Sequence, residues 1–303
     1  MAGQPISSPI AQNARTFSWR CLRLLRKPSV MIAFHLGALP LLFIETTWLD
    51  WLLFPVFLTV RGLVITIGYH RYFSHRSFKT SRAGQFVLAC MCCCNMQNGP
   101  LWWAAVHRHH HRYSDEPEDF HSPVQGGFFW GHVAWNFGKL EDPDWRRVRD
   151  LTRYPELVWL ERFHLVPPLL LAFVCWLIGG WSCLCLDFFL TAVVVQQVTW
   201  AVNSIGHLVG SRRYATSDSS RNSFLMALIS MGDGWHNNHH HYPHSAQAGF
   251  FWWETDTSYL VIRLLAFVGL VWDVRGVPPH KLHPPKVEES FTTSAGAAQS
   301  GPG

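Results

Sequence analysis

Four apolar stretches separated by short polar connections dominate the 303-residue chain: residues 30–44, 48–67, 165–181 and 184–205. Each comes near the roughly 20 residues that a helix needs to cross about 30 Å of hydrocarbon. The pattern therefore predicts four membrane-spanning helices in two hairpins. Two further apolar stretches fit less well as spans. Residues 86–96 are too few to cross and predict a helix of a cytosolic domain packed near the membrane. Residues 259–272 contain Arg263 and run into Asp273, which predicts a helix lying along the interface. Arg61 falls inside the second span; because intramembrane arginine is rare, a helix that continues beyond the lipid as a stalk is favoured over a guanidinium facing the protein interior. Residues 1–14 and 286–303 are small and polar, which predicts disordered ends, and nothing at the start has the order of a cleaved secretory signal, so the first span is expected to serve as the signal.

Composition supports a lipid environment. Charged residues are 15% of the chain, against roughly a quarter in soluble domains. The 16 Trp suit the boundary between hydrocarbon and water. The formal charge of +5 is spread between apolar segments and gives no basic stripe for nucleic acid. Arg15, Arg20, Arg23, Arg26 and Lys27 precede the first span, whereas Glu45 and Asp50 occupy the first turn. Positive residues stay cytosolic, which places both termini and residues 70–162 on the cytosolic side, with a bacterial plasma membrane expected rather than the endoplasmic reticulum. Of the eight cysteines, Cys90 and Cys93 have metal-ligand spacing but lack a second pair, and all are read as small apolar packing residues.

Histidine changes the picture. Eighteen occur, and most fall in three clusters: His70 with His75; His107, His109, His110 and His111; and His236, His239, His240 and His241, with His207 as a further candidate. Side chains three and four apart share a helix face, so His107, His110 and His111 converge, as do His236, His239 and His240, and Asn203 pairs with His207. His109 and His241 break the spacing and are read as bystanders; His35, His132, His164, His244 and His280 are read as ordinary surface or core residues. Imidazole suits iron, copper, zinc and nickel. No His-Glu-x-x-His sequence is present, so the helical zinc-protease pattern does not apply. Asp115, Glu116, Glu118, Asp119 and Asp233 flank the clusters as partners for the outer ring nitrogens. A histidine-rich metal transporter would instead carry ionisable residues along the middle of several spans.

With these clusters in hand, the chain resembles the membrane fatty acyl desaturases of the stearoyl-CoA desaturase type. Gly68-Tyr-His-Arg-Tyr-Phe-Ser-His75 matches their first box, His107-Arg-His-His-His111 their second and Gly232-Asp-Gly-Trp-His-Asn-Asn-His-His240 their third; Asn203-Ser-Ile-Gly-His207 matches a further ligand segment. The resemblance implies an all-α membrane protein of four transmembrane helices with a cytosolic helical domain. It divides the chain into residues 1–29, a desaturase domain 30–281 and a tail 282–303. It also implies two iron ions with dioxygen as co-substrate, one metal on His70, His75, His107, His111 and His239, the other on His110, His207, His236 and His240, with Asn203 holding a water. Gln97, Trp103, Phe128, Phe129 and Trp135 fall where the family lines its substrate passage. The implied reaction is a cis double bond, near carbon 9, in a C16 or C18 chain carried on CoA or lipid. A hydroxylase using the same centre is the alternative. Ala105 and Val106 replace the Arg-Asp pair of acyl-CoA members, and Asn98-Gly-Pro-Leu-Trp-Trp103 has the style of the cyanobacterial and plant relatives. Arg108 and Lys139 are the candidate phosphate contacts. No haem segment is fused, so a separate ferredoxin, rubredoxin or cytochrome b5 is the implied electron donor.

Overall fold

Proline and capping residues set the ends of the apolar helices. In the computed structural model, which describes residues 29–138 and 143–283, α1 (Ser29–Ala38) gives way at Pro40 to a tighter turn over Leu39–Leu42. Lys139 and the basic residues before the first helix lie outside the described residues. α2 (Trp48–Val64) starts at a capping box in which the Thr47 amide donates to Asp50 Oδ2 at 2.6 Å and the Asp50 amide to Thr47 Oγ1 at 3.3 Å. It then widens without a break into π-helical turns over Ile65–Ser74. α3 (Arg82–Cys93) packs against that wide segment, where Gly68 leaves room for Cys92 Sγ; a Cβ there would collide with it.

α4 (Pro100–Tyr113) carries the second histidine cluster, and its first amides, Leu101 and Trp102, donate to the buried Glu161 carboxylate at 2.9 and 3.1 Å. Ser122 caps α5 (Pro123–His132), and Glu161 belongs to α6 (Pro155–Arg162). Next come α7 (Val166–Cys183), a π-helical segment over Leu184–Leu190, and α8 (Thr191–Leu208). Among the shorter helices that follow are α9 (Phe224–Ile229), α10 (His236–His241) and α11 (Thr257–Phe267).

Among the described residues, two helical stretches are long and apolar enough to cross a membrane, Trp48–Ser74 and Val166–Leu208. The second is not one rod. Gly179 and Gly180 leave helical geometry, Gly180 at φ 65°, and the buried side chains of Cys175 and Cys183 belong to one apolar cluster. The chain turns back here.

Two expectations are corrected. Residues 259–272 are not a single helix: α11 ends at Phe267, and β2 (Val271–Trp272) pairs antiparallel with β1 (Lys79–Thr80). Arg61 faces the interior, 3% exposed, with its guanidinium 4.9 Å from the Phe188 ring centroid rather than on a stalk in water. The larger core lies between the wide segment of α2, α3, α4, α6 and α11, and a smaller one forms where α1, α7 and the turns before α8 meet. The histidines sit beside the larger core.

Candidate metal centre

Four elements deliver nine histidines to one place. In the wide segment of α2 the His75 amide donates to the His70 carbonyl at 3.2 Å, an i to i+5 bond that brings the two rings to 5.0 Å despite a spacing unsuited to an α-helix. α4 supplies His107, His110 and His111 from successive turns, the end of α8 supplies His207, and α10 supplies His236, His239 and His240. Their ligand atoms gather into two groups, His70, His75, His107, His111 and His239, and His110, His207, His236 and His240, each within 4.8 Å. This is the partition the resemblance assigns. The groups adjoin, with the His111 and His240 rings stacked at 4.4 Å.

Inside the groups the Nε2 atoms face one another: His70 to His239 and His75 to His107 at 2.8 Å, and His107 to His111, His111 to His239 and His207 to His236 at 3.0 Å. Four rings give their Nδ1–H to carboxylates: His70 to Asp233 and His110 to Asp119 at 2.9 Å, His207 to Asp115 at 3.0 Å and His240 to Asp218 at 2.6 Å. That bond fixes the tautomer and leaves Nε2 as a bare lone pair. Burial, reinforced by neighbouring imidazoles, pushes His75, His107, His111, His236 and His239 well below the ordinary histidine value, so these rings are neutral. Burial likewise takes His240 to about 4 against the pull of Asp218. Burial would raise the carboxyls, yet His207, His110 and His240 hold Asp115, Asp119 and Asp218 below their usual range.

Lone pairs crowded inward repel unless a cation lies between them. His110 Nε2 and His240 Nε2 are buried with no hydrogen-bond partner among the described residues. With metal–nitrogen bonds of about 2.0–2.1 Å, neighbouring ligands of a six-coordinate ion lie about 2.9 Å apart and those of a tetrahedral one about 3.4 Å. The observed spacings match the former, and five nitrogens in one group exceed a tetrahedral set. The five-histidine group therefore offers more donors than one tetrahedral ion takes, and both groups present imidazole nitrogens of the kind that suit a transition-metal ion such as iron.

Two cavities abut the centre and share Trp103, His107, Thr199 and Asn203 as lining. One is apolar, bounded by residues such as Leu58, Ile65, Val194 and Val198; the other carries Gln97, Asn98, Trp135 and Gln196. At their junction the Trp103 indole stacks on Tyr69 and His107, donates to Gln97 Oε1 at 3.2 Å, and Gln97 donates onward to Thr199 Oγ1 at 3.1 Å. Gln97, Trp103 and Trp135 thus line a cavity, as does Asn203, one turn before His207. Phe128 and Phe129 do not: they are exposed on α5 and border neither space.

Asp218 and His121 escaped the sequence reading. His121, buried, lies 4.5 Å ring to ring from His110 and beside Asp119; its place two residues after Asp119 was the available signal. Glu116 and Glu118 are exposed and hold no histidine ring through their carboxylates. His109 and His241 bond backbone carbonyls outside both groups, and His132 is satisfied by Ser204 and Gln197. Arg108 is not a free phosphate contact: all of its donors are engaged by Phe73, Ser74, Arg147 and Asp150.

Residues 46–257 match the family model described as fatty acid desaturase. The chain is 36% identical over 220 residues to the sn-2 palmitoyl-lipid 9-desaturase of Nostoc sp. (strain 36), covering 71% of this chain and 77% of that one. It is 38% identical over 221 residues to Delta-9 acyl-lipid desaturase 1 of Arabidopsis thaliana, covering 72% of each. Similarity to the acyl-CoA C20 Delta5-desaturase of Anemone leveillei is 30% over 296 residues, 92% of this chain and 91% of that one.

Proposed function

The chain belongs to the fatty acid desaturase family and is a fatty acyl desaturase, and from that premise we propose that it inserts a cis double bond at carbon 9 of a saturated C16 or C18 chain esterified to a membrane glycerolipid. The observation that carries this reading is the meeting of the apolar and polar cavities beside the inward-facing imidazoles. The histidines of the two groups would hold one iron each, and Asn203 would position a water beside the second. Bound there, the irons supply, with dioxygen and two electrons from outside, the oxidising power that removes two hydrogens from adjacent methylenes. The chain's own residues then have a positional task. Apolar walls bury the alkyl tail at about 0.8 kcal/mol per methylene, while Trp103, Gln97 and Thr199 form the shoulder where the tail passes the centre.

A lipid carrier rather than CoA is supported by Ala105 and Val106. Ala105 is wholly buried and Val106 faces the polar cavity, so no charged pair stands there to meet a nucleotide carrier. In this reading residues 30–44, 48–67, 165–181 and 184–205 cross the membrane as two hairpins, with both termini and the histidines on the cytosolic side of a bacterial plasma membrane. A separate ferredoxin, rubredoxin or cytochrome b5 delivers the electrons.

Expression in a host without a desaturase, followed by gas chromatography and mass spectrometry of fatty acids released from separated lipid classes, tests the proposal. A Δ9 monoenoic acid should appear in glycerolipids and vanish in His110→Ala. A hydroxy acid instead of an alkene, or conversion confined to the acyl-CoA pool, would overturn it.

A further inference from the structure

About 30 Å along α2 from His70, a second cluster of ligand-type side chains is left over by the chemistry above. Asp50 lies in the first turn of α2, and Cys183 and Asp187 flank the start of the π-helical segment that follows the Gly179–Gly180 reversal. One carboxylate oxygen of each aspartate and the thiol sulfur lie within 4.8 Å of one another. All three residues are 0% exposed. Asp50 Oδ2 is occupied by the Thr47 amide and hydroxyl, but Asp50 Oδ1 is turned away from that cap toward the second hairpin, where a Cβ on Gly179 would meet it at 3.2 Å. Asp50 Oδ1 and both oxygens of Asp187 have no nitrogen or oxygen donor among the described residues; the adjacent donor is the Cys183 thiol, a weak one.

Buried carboxylates this close cannot both remain charged without compensation. A single proton shared between them satisfies two of the three bare oxygens, one as donor and one as acceptor, and leaves the third to the weak thiol donor alone. A divalent cation takes an oxygen from each aspartate and the sulfur together. Thiolate with carboxylate is a donor set suited to zinc, whose bonds of about 2.3 Å to sulfur and 2.0–2.2 Å to oxygen place tetrahedral ligands about 3.5 Å apart, inside the observed spread. Exposed Trp48, Trp51 and Trp181 ring this end of the hairpins, which puts the cluster next to an aqueous boundary from which an ion can enter.

We propose that Asp50, Cys183 and Asp187 form a third metal site, structural in role, which takes a zinc-class divalent cation and staples the turn of the first hairpin to that of the second. Binding releases to water the Cys183 proton and any proton the two aspartates share, since zinc is held by thiolate and carboxylate.

The test uses the full chain, purified in detergent with zinc and iron supplied, and reads metal content together with zinc X-ray absorption. The wild type should carry zinc with one sulfur neighbour at about 2.3 Å. Zinc that strays into the histidine groups has nitrogen and oxygen neighbours only, so sulfur marks this site. Cys183→Ser and Asp187→Asn should each lose about one zinc per chain and the sulfur signal, while histidine-bound iron is unchanged. Wild-type zinc without a sulfur neighbour, or a sulfur signal that survives Cys183→Ser, overturns the proposal. Should Asp187→Asn fail to accumulate, Cys183→Ser, the smaller change, decides. Loss of iron from the wild type with the zinc–sulfur signal intact would instead count against the histidine assignment.

Discussion

Asp218 shows what a single residue does at the centre. Its carboxylate accepts the His240 Nδ1–H while also taking the Ser220 amide at 3.0 Å and the Thr216 hydroxyl at 2.9 Å, so it is held in place before any ion arrives. An asparagine there can turn its amide donor toward Nδ1, which drives the ring proton onto Nε2 and blocks the ligating lone pair. Asp218→Asn should therefore lower iron affinity about 10–100-fold, read by chelator competition on the purified protein; unchanged affinity would remove Asp218 from the centre. Asp115, Asp119 and Asp233 were legible because they flank the histidine boxes. Asp218 was not, because it lies 22 residues from His240 in sequence and only the loop before α9 brings it back. Glu116 and Glu118 erred the other way, for adjacency in sequence does not set which way a turn residue points.

At the scale of elements, hydrophobic periodicity located the long helices but not their gauge. The second span was read as ending at residue 67, whereas the helix continues through Ser74 because the chain widens into π-helical turns. Period-3.6 reasoning has no term for that widening, although the five-residue spacing of His70 and His75 was its visible trace. Gly179 and Gly180 form the reversal between α7 and α8, and residues 271–272 became a strand because Lys79 and Thr80 offer an edge that the local pattern cannot display. The wide segment must also approach α3 closely. Gly68→Ala places a methyl group against Cys92 Sγ and 3.2 Å from Leu88 Cδ1, and overpacking of this kind costs about 1–3 kcal/mol. The thermal midpoint in detergent should fall and iron should be lost with it, because His70 lies two residues on. Gly276→Ala, with open space around its Cβ, is the control that should move neither. An unshifted midpoint for Gly68→Ala would mean that α3 yields freely, contrary to the packing described.

For the whole molecule, the histidine clusters foretold a shared centre, but the cavities beside it come from packing between α2, α4 and α8 that no single segment encodes. Gln97, Trp103 and Trp135, named by resemblance, line these cavities, whereas Phe128 and Phe129, equally aromatic, end on the outer face of α5. The joint between the cavities bears on how one bond is chosen. Sliding an alkyl chain by one methylene changes burial by about 0.8 kcal/mol, which selects between neighbouring registers only about fourfold at 1.36 kcal/mol per tenfold. A single product needs a steric stop as well. Trp103 is placed to be that stop, pinned by stacking on Tyr69 and His107 and by its bond to Gln97. Trp103→Ala joins the two cavities into one wider space and frees Gln97, so the tail is held by burial alone. The expected outcome is a mixture of adjacent positional isomers at ratios of about fourfold or less, with iron content retained because no ligand has changed. Double-bond positions read from dimethyl disulfide adducts by mass spectrometry check this, and a lone isomer from Trp103→Ala would place the selecting contact elsewhere along the passage.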